Sequence, residues 1–145
     1  MGTLIIRKAL AGQPNTITLQ QLVSRAIAGV MPIAIRNKSF IINEIAPGLQ
    51  LAGNSDMIST VLHKLIDTVS VHSMNSCIRV SAKAYGNVIL VQVRDHHSAD
   101  ACTLAFSLEP AQPVAEKIGG YLGITSQWRN ETTIVFSFPN VPEAA

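Results

Sequence analysis

The sequence predicts an α+β fold: a two-layer sandwich in which one mixed, mostly antiparallel sheet carries helices on one face. Two long segments repeat their apolar residues at helical spacing, and two pairs of β-branched segments are each joined by a short polar turn. The predicted order is strand, helix, strand, helix, hairpin, helix, hairpin. At 145 residues, the chain has the length of one domain with one core.

The first part of the chain predicts a strand, a helix and a second strand. Residues 3–8 are apolar and β-branched and precede AGQPN, which indicates a strand and a turn. Thr16 or Thr18 then caps a helix, because apolar residues follow at helical spacing. Asn37 is a stop signal for this helix and precedes a strand at residues 39–45.

The second helix has the clearest pattern of all the elements. Ser55 is its predicted N-cap, and Asp56 lies where a negative charge interacts favourably with the helix dipole. We expect the helix to end at about Ser73. Its apolar stripe consists of Ile58, Val61, Leu62, Leu65 and Val69.

The second half of the chain predicts two hairpins separated by a short helix. High β-branched content and a Gly-Asn turn predict the first hairpin, and an Arg-Asn-Glu turn predicts the second. A pair of glycines ends the short helix. The strands are residues 77–84, 88–94, 121–128 and 132–138, and the helix is 113–118.

Composition excludes several classes of function. Charged residues are 14% of the chain, against about 25% in an average soluble domain. The net charge is +2 and the basic residues are scattered, so we expect no nucleic-acid partner. Cys77 and Cys102 are too few for a disulfide framework, which is typical of the cytoplasm. No apolar run is long enough to span a bilayer, so no direct membrane contact is expected.

Four segments in succession resemble one known family. They are LQQLVSRAIAGVMPIAIRNKSFIINEI, LAGNSDMISTVLHKLIDTVSVHS, IRVSAKAYGNVILVQVRD and EKIGGYLGITSQWRNETTIVFSFP. In this order they resemble the catalytic ATP-binding domain of sensor histidine kinases, a member of the GHKL ATPase superfamily with the Bergerat fold. The resemblance implies one domain over residues 1–145, with a core at about 16–139, that belongs to a larger signalling protein.

The resemblance implies three candidate nucleotide-binding residues. In the family, a helix carries two asparagines one turn apart, and the second holds the magnesium ion; here Lys64 and Thr68 stand at these positions. Magnesium prefers hard oxygen ligands, so a lysine ammonium repels the ion and Thr68 is a poor replacement. Asp95 matches the family's adenine-binding aspartate, but His96 and His97 follow where the family has glycines.

The stretch RDHHSADACTLAFSL takes the place of the family's long lid over the nucleotide. It contains no glycine, and Ala105 and Ser107 stand at the positions of a Gly-x-Gly motif whose amides hold the phosphates. Pro110 and Pro113 remove two further N–H donors. Our hypothesis is that this stretch is a collapsed remnant of the lid, and no helix or strand is predicted within it.

Other interpretations of single residues remain open. Asp95 is either a surviving adenine acceptor or a strand-end residue that caps the next turn, and the second is favoured because a buried, unpaired carboxylate is costly. His63 as a phosphoacceptor is disfavoured, since the family's acceptor lies in a separate helical hairpin. A zinc site at His96 and His97 is disfavoured as well, because adjacent residues of an extended chain point in opposite directions.

The predicted function is that of a degenerate histidine-kinase ATPase-like domain without ATP hydrolysis or phosphotransfer. It would act in the cytoplasm as a protein-interaction or regulatory module of two-component signal transduction, with no cofactor. The expected partner is a helical phosphotransfer hairpin or a receiver domain, with homodimerisation possible. The alternative is a catalytic domain that binds ATP and magnesium in an atypical site, with Asp95 on adenine and Lys64 on a phosphate. An unrelated α+β ligand-binding domain is a third alternative.

Overall fold

A computed structural model describes residues 17–53, 55–96, 101–128 and 131–141, without the side chains of 101–103 and 126–128. Within this part of the chain, helices cover one face of a five-stranded sheet. The predicted α+β class and the mixed, mostly antiparallel sheet are therefore confirmed. The strand predicted at residues 3–8 lies outside the described residues. The elements are α1 (Leu19–Arg36), β1 (Phe40–Asn43), α2 (Ser55–His72), β2 (Cys77–Tyr85), β3 (Val88–Asp95), α3 (Ala101–Leu108), α4 (Gln112–Lys117), β4 (Tyr121–Trp128) and β5 (Glu131–Pro139).

Helix α1 begins with a capping box. Of the two predicted caps, the Thr18 side chain accepts from the backbone N–H of Gln21, and the Gln21 side chain accepts from the N–H of Thr18. The helix continues through Pro32 and ends at Asn37, the predicted stop. The Asn37 side chain donates to the Ser70 carbonyl near the end of α2, so it also ties the two long helices together.

Helix α2 packs against α1 and supplies the largest block of core residues. It begins at Ser55, so the predicted N-cap residue is the first residue of the helix, and it ends at His72, one residue before the predicted end. Its apolar stripe is buried as predicted. The buried residues are Ile58, Val61, Leu62, Leu65, Ile66, Thr68, Val69 and Ser70.

The sheet has the order β1-β2-β3-β5-β4, with β1 parallel to β2 and all other pairs antiparallel. Both predicted hairpins form, and Gly86 in the first turn has φ of 60°, a conformation that glycine adopts readily. Alternate residues of β2, β3 and β5 face the helices. They include Ile78, Val80, Ile89, Val91, Val93, Ile134, Phe136 and Phe138.

The stretch RDHHSADACTLAFSL differs from its prediction, because its second half is helix α3. Leu104 and Leu108, four residues apart, are both buried and form its inner face. A 3₁₀ turn at Glu109–Ala111 leads directly into α4, and the predicted helix end at Gly119 is confirmed by its φ of 77°. Sequence reasoning missed α3 because the helix is only 8 residues long and largely apolar, so its pattern of apolar residues has no clear helical period.

Candidate functional site

Asp95 is the last residue of β3 and faces the helical layer. The side chains of β3 alternate, so Asp95 points to the same side as Val91 and Val93. Only 1% of its surface is exposed. A carboxylate in such a position must be compensated by hydrogen bonds, since transfer of a charge out of water is expensive.

Two serine hydroxyls provide that compensation. Ser73 follows the end of α2 and donates to Oδ2 of Asp95, and Ser76 precedes β2 and donates to Oδ1. The Ser73 hydroxyl also lies 2.6 Å from the Val69 carbonyl. Both serines are buried. The carboxylate therefore holds the end of α2 and the start of β2 against the end of β3.

A third serine extends this arrangement to the start of β1. The Ser39 Oγ accepts from the backbone N–H of Ser76 at 3.1 Å and lies 3.5 Å from the Ser73 carbonyl. We call Ser39, Ser73, Ser76 and Asp95 the Asp95 cluster. Its members come from three places in the chain, the start of β1, the connection between α2 and β2, and the end of β3, and all of them are buried. The favoured interpretation placed Asp95 in a turn, where it would avoid burial; the structure instead buries Asp95 and pairs its oxygens with Ser73 and Ser76.

The other two candidate residues both lie on α2. The i, i+4 spacing brings Lys64 and Thr68 to neighbouring positions of that helix. Thr68 is 4% exposed and belongs to the buried face, whereas Lys64 is partly exposed. Thr68 adjoins Val69, whose carbonyl contacts Ser73, so α2 links this position to the Asp95 cluster.

Helix α3 packs against α2 and closes this region. Leu104 and Leu108 enter the common core, and the Ser107 hydroxyl lies 3.4 Å from Nε2 of His72 at the end of α2. Nδ1 of His72 is buried and has no hydrogen-bond partner. Ala105 and Ser107, the positions of the family's glycines, lie within this regular helix and not in an open loop.

The histidines considered above are dispersed. His96 is exposed and its Nδ1 lies 3.3 Å from a carboxylate oxygen of Glu131; His97 lies outside the described residues. His63 is exposed on α2, and its ring lies 3.9 Å from the point where a Cβ atom on Gly29 would stand. Within the described part of the chain, no three potential ligands among His, Cys, Asp and Glu come together. None of the helices described there is long and apolar enough to cross a membrane.

Sequence reasoning found Asp95 but missed the serines that bind it. Ser73 and Ser76 lie on either side of the short turn between α2 and β2. This position is the one feature of the sequence that could have pointed to them as partners of Asp95. The register of β2 and β3 places Ile78 opposite Asp95. This register determines which carboxylate the two serines contact. That register is a tertiary property.

No known family profile matches the chain, and no curated protein matches its sequence. Solved structures do match. The nucleotide-free catalytic domain of histidine kinase ThkA aligns with a TM-score of 0.74 at 16% identity, over 87% of this chain and 96% of that one. Acinetobacter baumannii histidine kinase AdeS aligns at 0.74 and 11% identity, over 86% and 66%. ThkA in complex with the response regulator protein TrrA aligns at 0.72 and 15% identity, over 99% of this chain and 48% of that one. This chain thus has the fold of histidine-kinase catalytic ATPase domains.

Proposed function

We propose that this chain, which has the fold of a histidine-kinase catalytic domain, is a degenerate form that works without nucleotide as a protein-interaction or regulatory module of two-component signalling. The observation that carries the proposal is the state of Asp95. Its carboxylate is buried, and each of its oxygens accepts a hydrogen bond from a buried serine hydroxyl. A group used in this way holds the fold together and is not presented to a ligand.

Burial, more than the number of lone pairs, separates Asp95 from adenine. Each carboxylate oxygen has two acceptor positions, so a serine donor does not by itself exhaust them. An adenine amino group would, however, have to reach an atom in a residue that is 1% exposed. Displacement of Ser73 or Ser76 would break a hydrogen bond to a charged acceptor, at a cost of about 1.5–3 kcal/mol.

The positions matched to the magnesium site lack the chemistry for that ion. Magnesium takes oxygen ligands in near-octahedral geometry and keeps several of its waters. Thr68 offers one neutral hydroxyl, and it is 4% exposed. Lys64 carries a positive charge and no acceptor. Neither residue supports the binding of a hydrated divalent cation.

Helix α3 adds an energetic obstacle to any opening of this region. Leu104 and Leu108 are both buried in the core, and exposing two such side chains costs about 3–6 kcal/mol. An open state would then be populated at roughly one part in a hundred to one part in ten thousand. A nucleotide that required opening would bind more weakly by the same factor.

Without nucleotide binding, the proposed use of the fold is the binding of other proteins. ThkA, which has the same fold, has been solved with a response regulator, and this supports a partner of that kind. A receiver domain or a helical phosphotransfer hairpin is therefore the proposed partner. The charge-poor composition agrees with a surface that is partly covered in the assembled protein. We place this function in the cytoplasm.

Melting temperatures with and without nucleotide test the proposal. We expect ATP or ADP at millimolar concentration, with or without magnesium, to leave the melting temperature unchanged. Binding would be easy to detect, because a ligand at a thousandfold excess over its dissociation constant adds about 4 kcal/mol to the free energy of unfolding. A clear rise that Lys64→Ala removes would instead support the atypical ATP site. Lys117→Ala is the matched control, since Lys117 is exposed and lies on α4, which carries none of the three candidate nucleotide-binding residues.

A further inference from the structure

The face of the sheet opposite the helices has a composition of its own. It is formed by the alternate residues of β2, β3, β4 and β5 that point away from the core. Cross-strand register places Lys83 beside Leu90, Ser81 beside Gln92, and Arg79 beside Arg94. We call this surface the outer face. The buried positions of β2 and β3 all belong to the other side, whereas on β5 Thr133 and Val135 point to the outer face and are buried.

Aromatic side chains lie on the outer face with much of their surface in water. Tyr85 at the end of β2 is 57% exposed, and Tyr121 at the start of β4 is 56% exposed. The Tyr121 ring lies over Gly123, where a Cβ atom would collide with it. Val88 in the first hairpin is exposed as well. Exposed tyrosines with an apolar body and a polar tip are typical of protein interfaces.

The outer face also carries positive charges that the described residues do not neutralise. Arg79 and Arg94 are directly opposite each other on β2 and β3, an arrangement that is unfavourable for like charges. Glu44 lies 3.2 Å from Arg79 and balances one of them. Nε of Arg94 is buried and has no acceptor. Lys83, further along β2, is exposed and forms no ion pair with a described residue.

A small cavity lies beside Lys83 and Tyr85. It measures about 60 Å³ and its lining combines polar groups with an apolar wall. One water molecule needs about 10–15 Å³ of such volume, so the cavity has room for a carboxylate group. The lining residues are Ser81, Ala82, Lys83, Tyr85, Leu90 and Gln92.

We propose that the outer face is the docking surface for an acidic segment of the partner protein. A carboxylate of that segment enters the cavity beside Lys83, where Ser81 and Gln92 can donate hydrogen bonds. A second carboxylate pairs with the guanidinium group of Arg94, which is partly exposed. The apolar parts of the segment pack on Tyr85 and Tyr121. This inference rests on the proposed function as a protein-interaction module and assigns the surface that it uses.

Charge and composition favour this occupant over others. Nucleic acid requires a continuous basic stripe, whereas here Lys83 is separated from the two arginines by Ser81 and is flanked by tyrosine and leucine. A second copy of the chain would have to offer an acidic surface. Its net charge is +2, because 11 basic residues outnumber 9 acidic ones. An acidic protein segment complements both the cations and the aromatic groups.

A peptide titration followed by amide NMR signals tests the proposal. The probe is a peptide of about twelve residues that alternates aspartate and threonine, long enough at about 3.3 Å per residue to cross the sheet; its asparagine counterpart is the uncharged control. We expect the acidic peptide to shift the signals of Ser81, Lys83 and Gln92. Lys83→Glu should raise the dissociation constant of the acidic peptide at least tenfold. Arg25→Glu makes an equal change of charge at an exposed residue of α1 and should change the dissociation constant by no more than about twofold.

The outcomes separate this inference from the proposed function. Signal shifts from the asparagine peptide, equal losses in both charge variants, or shifts on the helical side would overturn the outer face as an acidic-segment site. Shifts that depend on protein concentration alone would assign the surface to a second copy and would overturn it too. ATP with magnesium is added to a separate sample. Shifts near Asp95 in that sample contradict the proposed function, whatever the peptide does.

Discussion

Replacement of Asp95 by asparagine tests whether the Asp95 carboxylate stabilises the fold or binds a ligand. The amide has nearly the same shape, so no cavity forms and the change acts on the hydrogen bonds. Ser73 and Ser76 donate to the two carboxylate oxygens; the amide offers one oxygen, and its nitrogen is a donor. We expect Asp95→Asn to destabilise the fold and to leave the response to nucleotide unchanged.

The size of the effect follows from the two bonds. A hydrogen bond to a charged group contributes about 1.5–3 kcal/mol and a neutral one about 0.5–1.5 kcal/mol. The loss over two bonds is therefore about 2–3 kcal/mol. For a chain of this length, that corresponds to a fall in melting temperature of about 10 °C. Urea unfolding followed by circular dichroism measures the free energy directly.

Asp67→Asn is the matched control for this prediction. Asp67 lies on α2, is partly exposed, and forms no ion pair among the described residues. Its replacement should change the free energy of unfolding by less than about 0.5 kcal/mol. Our reasoning would be refuted if Asp95→Asn were as stable as the parent and removed a nucleotide-dependent rise in melting temperature that the parent showed.

Two further predictions concern packing. Leu104→Ala should lower the free energy of unfolding by about 2–5 kcal/mol because Leu104 is buried, whereas Phe106→Ala should have little effect because Phe106 is 73% exposed. Thermal unfolding and amide hydrogen exchange of the two variants check this prediction. Equal losses of stability in both variants would contradict the packing of α3. Gly120→Ala should cost about 1–3 kcal/mol, because the new Cβ would collide with the Ser137 carbonyl, while Gly48→Ala meets no atom within 4 Å. Similar melting temperatures for these two glycine variants would argue against the close approach of β5 to the end of α4.

The elements that sequence reasoning predicted well carry strong local signals. The apolar stripe of α2 has helical spacing, and the strands of both hairpins are rich in β-branched residues and flank short polar turns. The boundaries of these elements agree with the structure to within one or two residues. Thr18 was one of two predicted caps, and only the contact with Gln21 distinguishes it. Pro32 lies in the helix although proline commonly ends one.

The parts that sequence reasoning missed depend on contacts between distant segments. Helix α3 is short and largely apolar and gains its stability from Leu104 and Leu108 in the common core. The match of Asp95 to an adenine-binding position could be read from the sequence. Its engagement by Ser73 and Ser76 could not, because it depends on how α2, β2 and β3 meet. The roles of Lys64 and Thr68 remain predictions.

The most direct test of the central claim is a calorimetric titration of ATP with magnesium into the purified chain, repeated with Asp95→Asn. We predict only the heat of dilution in both titrations, because the Asp95 carboxylate is buried and bound by serines. A saturable heat with one ATP per chain that disappears in Asp95→Asn would contradict the claim. It would show that Asp95 binds the nucleotide and that the atypical ATP site is the function of this fold.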